Sequence, residues 1–230
     1  MAVIVVGGGG RGVGKTALVC GLMRALPEIA WTAIKVTTHE HGKPTPIWEE
    51  TEPGEGSDTG RYLAAGARRA LLVRASEDAL GPDDDTLGPI VQQVLREYMQ
   101  ADEIVRSEIR RSGADEAGES RAGESRAGES NDGAMRAGAI QSGVIPYGVI
   151  FESNSVLRHL RPDVCLCAAT SPWMNEKSSY DLVAQRMDAM VELAGHDHII
   201  EAEKITFRLA SLERVSPTMQ EWLRERLGAP

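Results

Sequence analysis

The stretch Ala2-Val3-Ile4-Val5-Val6-Gly7-Gly8-Gly9-Gly10-Arg11-Gly12-Val13-Gly14-Lys15-Thr16 decides the fold class. Ala2–Val6 is a continuous apolar run with no polar alternation. A strand that is apolar on both faces is buried on both faces, as happens in a parallel sheet covered by helices. The run ends in four glycines, after which Val13–Ala25 reads as a helix with Ala17, Leu18, Cys20, Gly21, Leu22 and Ala25 on its apolar face and Pro27 as its stop. Gly9 to Thr16 fit G-x-x-x-x-G-K-[ST] at each defined position, in the strand–loop–helix context that gives the pattern its meaning. Glycines let successive backbone N–H groups turn inward around a phosphate, helped by the positive end of the helix dipole. Lys15 then reaches the β- and γ-phosphates, and the Thr16 hydroxyl is a Mg²⁺ ligand. The expected cofactors are therefore Mg²⁺ and a bound nucleoside triphosphate, GTP or ATP, held by Gly9, Gly10, Arg11, Gly12, Val13, Gly14, Lys15 and Thr16. ATPases of the deviant-Walker type carry a lysine right after the first glycine; here that position is Gly10, and Arg11 is expected on the rim of the loop.

Working outward, Ala30–Val36 reads as a second strand. Thr37 to about Ser57 lacks periodicity and is expected to be a lid or binding loop, because structureless connections of that length are uncommon inside compact domains. Asp58–Ala67 reads as a short helix, Arg69–Val73 as a strand, and Gly88–Arg111 as a long amphipathic helical stretch. Ser112–Gly138 is almost devoid of large apolar residues and contains the repeat AGES-RAGES-RAGES. It cannot bury enough surface to offset its ordering entropy, so a disordered insertion at about 112–138 is expected. Gly143–Phe151 and Val164–Ala169 are strands, Lys177–Ala194 a helix, and His198–Ile200 and Ile205–Ala210 late strands. Ser216-Pro217 opens a last helix running through Leu227. The expected fold is one α/β domain over 1–230 of the P-loop NTPase type, a doubly wound, mostly parallel sheet of five to seven strands flanked by helices.

Composition bounds the function. The 230 residues are 42% hydrophobic and 26% charged, a globular balance with enough apolar material for one good-sized core. A net charge of −9 argues against nucleic acid or an anionic membrane as the main partner, so an anionic ligand needs a local site. Three cysteines make no disulfide framework for a chain of this size, and neither a membrane-length apolar run nor a signal-type N-terminus is found; the expectation is a cytoplasmic protein. Only five residues are lysine against twenty arginines, and two of the five, Lys15 and Lys35, fall in motifs.

The second motif runs Ile34-Lys35, Thr37-Thr38-His39, then Asp58-Thr59-Gly60-Arg61-Tyr62-Leu63-Ala64-Ala65-Gly66-Ala67. With the glycine loop, this order resembles the molybdopterin-guanine dinucleotide biosynthesis protein B (MobB) family. That family has a strand ending in I-K-H, a His-bearing loop and D-S-x-R-x-x-x-A-G-A. Asp58, Arg61, Ala65, Gly66 and Ala67 match, Thr59 replaces serine, and Val36 stands where the family has histidine. Ile150-Phe151-Glu152-Ser153 keeps the glutamate of the family's V-E-G motif without its glycine. The resemblance covers roughly residues 1–75 well and 143–170 loosely. It implies a weak GTPase that assists nucleotide attachment to the molybdenum cofactor. The alternative is a small-molecule kinase or ATP-dependent ligase using the same loop on a non-pterin metabolite; a nucleotide-timed adaptor is the third reading. Expected partners are the nucleotide and either an anionic small-molecule substrate or a cofactor-biosynthesis protein, and a homodimer is compatible with the sequence, which does not fix the oligomeric state.

The residues suggest roles of their own. Lys35 ends strand two beside the glycine loop, where open α/β sheets bind ligands, and would neutralise an anionic substrate or the γ-phosphate. Asp58 is either a Mg²⁺-side carboxylate or the N-cap of its helix. Arg61 either contacts phosphate or makes a surface salt bridge. Glu152 ends the most apolar internal strand and is the candidate Walker-B-like carboxylate on the metal or attacking-water side; Asp163 precedes its strand instead of ending it. The catalytic candidates are therefore Lys15, Lys35, Arg61 and Glu152, and the metal candidates Thr16, Asp58 and Glu152. His39-Glu40-His41 resembles a metal cluster but lacks further ligands. Cys165 and Cys167 share one strand face as core thiols, His196 and His198 read as surface or strand residues, and Thr170–Asn175 is a candidate base pocket. Asn175-Glu176-Lys177 is not N-K-x-D and reports no guanine preference.

Overall fold

The apolar run at the start of the chain becomes β1 (Ala2–Gly8), the middle strand of a nine-stranded sheet. In the computed structural model, residues 1–37, 47–74, 87–97, 147–169, 179–201 and 204–228 are described. The strands follow as β2 (Ala30–Thr37), β3 (Ile47–Glu50), β4 (Arg69–Arg74), β5 (Tyr147–Glu152), β6 (Val164–Ala169), β7 (Ala189–Leu193), β8 (His198–Glu201) and β9 (Ile205–Leu209), in spatial order β3-β4-β2-β5-β1-β6-β7-β9-β8. The six inner pairings are parallel, and only the outermost strands β3 and β8 pair antiparallel.

Helices cover both faces, which is why β1 shows no alternation in sequence. Ile4 and Val6 point into a core with Leu18 and Leu22 of α1 (Lys15–Ala25), Tyr62 of α2 (Asp58–Ala64) and Met219 and Leu223 of α5 (Pro217–Leu227). Val5 points the other way, into a core with Val91 and Val94 of α3 (87–97), Val156 and Leu157 of the 3₁₀ turn Ser155–Arg158, and Val183 of α4 (Tyr180–Arg186). Cys165 and Cys167 share this second core, where burial pushes their thiols up to about 12 and about 11, and Cys20 lies buried in the first. They are inert packing groups, as the alternation in sequence implies.

Two strands were not expected. Within the supposed lid, Ile47–Glu50 adds to the sheet edge as β3, Trp48 in register with Leu72. Four residues with two glutamates, and prolines close on both sides, carry too little apolar periodicity to announce a strand; the open edge of β4 supplies the order instead. Further on, Lys177–Ala194 is not one helix. α4 ends at Arg186, Met187 is extended at φ −63° and ψ 132°, and Ala189–Leu193 forms β7 between β6 and β9. Met, Glu and Leu are good helix formers, but pairing on both sides buries Ala189 and Val191 completely, and that outweighs local propensity. The insertion at 112–138, the second half of the Gly88–Arg111 stretch, residues 143–146 and 177–178, His39-Glu40-His41, Thr170–Asn175 and Asn175-Glu176-Lys177 lie outside the described residues. Among the described residues no helix is long and apolar enough to cross a membrane.

Candidate functional site

The site lies at the carboxyl ends of β1, β2 and β5, where the chain leaves the sheet for α1. Register brings the key residues into one row: Val6 of β1 pairs with Glu152 of β5, and Glu152 pairs with Lys35 of β2. Period-two alternation places Glu152 and Lys35 on the face shared by Ile150 and Ala33, toward α1 and α2.

Above this row the glycine loop turns into α1. Gly12 and Gly14 take positive φ values of 72° and 85°, a region costly for any side chain, and Gly14 sits at the N-cap position. Among the described residues no side chain caps α1. Lys15 folds back over the loop, its Nζ donating to the Gly10 carbonyl at 2.5 Å, while Arg11 stands exposed on the rim. The loop's entry is clamped from below by Asn154, whose Oδ1 accepts from the Gly8 N–H at 2.9 Å and whose Nδ2 donates to the Gly8 carbonyl at 3.0 Å. Asn154 was not among the sequence candidates, since a lone Asn after a strand carries no pattern of its own.

The charged groups meet beside the loop. The Thr16 hydroxyl donates to Glu152 Oε2 at 2.7 Å, and Lys35 Nζ donates to Glu152 Oε1 at 3.1 Å and to Asp58 Oδ2. Tyr62, fully buried on α2, donates its hydroxyl to Glu152 Oε2. Its spacing from Asp58, four residues along a helix, is the signal that could have joined it to the site. Glu152 is itself only 5% exposed, tolerable for a carboxylate because three donors converge on it.

These contacts set the protonation states. Burial alone would lower the Lys35 pKa, but the Glu152 charge and the bond to Asp58 outweigh it and hold the ammonium above its ordinary value. Burial likewise favours neutral Asp58, yet the Lys35 hydrogen bond and charge win and hold its carboxyl below the usual range. Burial, reinforced by the Glu152 charge, raises Tyr62 well above a normal phenol, so it stays a donor.

Thr16, Lys35, Asp58 and Glu152 are thus joined by hydrogen bonds, Lys15 lies on the loop against Gly10, and Arg61 stands beside them on the cleft wall with its charge paired elsewhere. Its guanidinium pairs with Glu213 at 3.0 Å and Glu55 at 3.4 Å, on the flank of α2. The N-cap of α2 is Ser57, whose hydroxyl accepts from the Gly60 N–H, so Asp58 is left free of the capping role and serves Lys35 instead. Asp163 stays structural, accepting from the Val3 N–H at 2.7 Å, and His196 is exposed. A cleft of about 430 Å³ opens beside the cluster, lined by Lys35, Glu50, Ser57, Asp58, Thr59 and Arg61 among others.

A hard divalent cation fits this donor set, since hydroxyl and carboxylate oxygens are the ligands Mg²⁺ prefers. Among the described residues no group of three or more His, Cys, Asp or Glu is placed to hold a metal. A cation held by Thr16 and one or two carboxylates would complete its shell with water and phosphate oxygens, the usual Mg²⁺ arrangement. No protein-family model, curated protein or solved structure matches the chain, so the functional reading rests on this geometry and on the motif.

Proposed function

We propose that this chain is a P-loop protein that binds a nucleoside triphosphate, GTP or ATP, with Mg²⁺ and hydrolyses it slowly, in a role like that of MobB in molybdenum cofactor nucleotide attachment. The observation that carries the nucleotide reading is the Thr16–Glu152 contact, which joins the last residue of the glycine motif to the carboxylate ending the neighbouring strand. Thr16, with Glu152 and Asp58, would hold Mg²⁺, which when bound neutralises phosphate charge. The uncapped start of α1 and the loop N–H groups would receive the phosphates, and Lys15 would leave the Gly10 carbonyl for their oxygens. Slow turnover follows from the resting arrangement: the charge of Lys35 is matched by Asp58 and Glu152, and that of Arg61 by Glu55 and Glu213.

Lys15→Ala tests the site. Removing two charge-assisted contacts of about 1.5 kcal/mol each should weaken nucleotide binding roughly a hundredfold by calorimetry. Undiminished affinity would reject the loop as the phosphate site.

The cleft supports a second reading, a small-molecule kinase or ATP-dependent ligase, because it opens next to Lys35 and Asp58 and is large enough for a metabolite. Product analysis separates the two: phosphate found on an added metabolite selects the kinase or ligase, and free phosphate alone selects the first reading.

A further inference from the structure

Lys35 reaches in among the oxygens of the candidate metal ligands Asp58 and Glu152. Its Nζ lies between Glu152 Oε1, at 3.1 Å, and Asp58 Oδ2, while the Thr16 hydroxyl faces the other Glu152 oxygen at 2.7 Å. The side chain of Lys35 is only 20% exposed, so the ammonium is held among these oxygens with little competition from water.

Building on the nucleotide reading above, we infer that the Lys35 ammonium is a resident cation that blocks the Thr16–Glu152–Asp58 oxygens against divalent ions until a triphosphate arrives. An ammonium is compact, has three donors and suits a pair of carboxylates. Without it, two carboxylates converging on one point would repel each other, and a hard divalent ion would be the natural remedy. Lys35 and a divalent ion cannot share the position, since both are cations competing for the same oxygens. A metal alone must therefore displace the ammonium from both carboxylates at once, with no phosphate there to receive it. Arg61, on the same cleft wall, already has its charge paired with Glu213 and Glu55.

A bound triphosphate removes that obstacle. The phosphates held over α1 provide negative charge within reach of the end of β2, so Lys35 can give up a carboxylate and keep its charge paired. Metal and nucleotide then bind with positive coupling, and the free protein is indifferent to Mg²⁺. Lys35 is on this account a positioning residue for metal entry before it contacts any phosphate.

The experiment titrates Mn²⁺, free of nucleotide, into the full chain and follows the free-ion signal by electron paramagnetic resonance. Lys35→Met, which keeps an unbranched side chain one atom shorter and removes the charge, should bind Mn²⁺ at least about tenfold more tightly than the wild type, within the usual range of coupling between sites. Lys35→Arg should behave like the wild type, and Lys35→Met combined with Glu152→Gln should lose the gain. A folded Lys35→Met with no gain overturns the inference, as does a wild-type Mn²⁺ site equally tight. Should Lys35→Met not fold, Lys35→Gln takes its place under the same criteria. Because nucleotide is absent, a protein that binds no triphosphate can still show the gain, and one that binds it without the gain rejects only the resident-cation inference.

Discussion

Asp58 stays ionised below the usual carboxylate range because the Lys35 bond and charge overcome the burial that would protonate it. A depressed folded pKa means stability that is present above the unfolded value and lost as pH falls through the folded one. Lys35 has the opposite sign: its raised folded pKa contributes stability below the unfolded value, lost as pH rises through the folded one. The pair is therefore intact across the neutral range and fails only at its extremes. Asp58 is 36% exposed, so solvent screening holds the interaction to about 1 kcal/mol. Asp58→Asn should lower Tm by about 2–4 °C, a margin constant from about pH 5 to 9 and shrinking below about pH 4. A margin that widened in acid, followed by thermal denaturation across pH, would show that Asp58 is not held by Lys35.

At the scale of elements, α1 is pinned between the sheet and the turn joining β9 to α5. Gly21 lies where α1 meets that turn: a Cβ there would stand 2.3 Å from the Leu212 carbonyl oxygen and 3.1 Å from the Glu213 carbonyl carbon. In a solvent-facing helix, Gly→Ala gains about 0.5–1 kcal/mol. Here the backbone of the turn cannot yield like a side-chain tip, and overpacking of about 1–3 kcal/mol dominates. Gly21→Ala should thus lower Tm by about 2–4 °C for each kcal/mol, and a thermal shift upward would refute the close approach. The same turn carries Glu213, which Arg61 of α2 and Arg24 of α1 both reach, so two helices flanking the glycine loop are tied to one connection.

Across the whole molecule, one sheet runs without interruption from β3 to β8 and carries a core on each face. Trp31 is buried in β2, and Trp222 of α5 packs edge-on against Phe207 of β9 at 5.4 Å, toward the other end of the sheet. Shared strands leave no seam at which one half could unfold alone, so the two tryptophans should report one transition. Variants retaining only Trp31 or only Trp222 should give the same urea midpoint by fluorescence, whereas separated midpoints would mean that the sheet divides into independent units.

Much of this architecture was legible because its signals are local. The apolar run of β1, the glycine spacing before Lys15 and the Ser216-Pro217 start of α5 each depend on residues adjacent in sequence, and the structure has β1, α1 and α5 where those residues put them. Ser216 indeed accepts from the Met219 N–H as an N-cap, with Pro217 at the first helical position. β3 and β7 were invisible for the converse reason: each owes its conformation to a neighbouring strand, and neither has a periodicity strong enough to declare itself. The candidate site divides along the same line. Motif spacing, position at strand ends and the family resemblance singled out Lys15, Thr16, Lys35, Asp58, Arg61 and Glu152. Their grouping required register between strands 117 residues apart, together with the placement of α2 over the sheet. That placement brought Tyr62 and Asp58 to Glu152 and Lys35 and carried Arg61 away to Glu213, because a helix presents successive residues to different neighbours and only packing decides which neighbours those are.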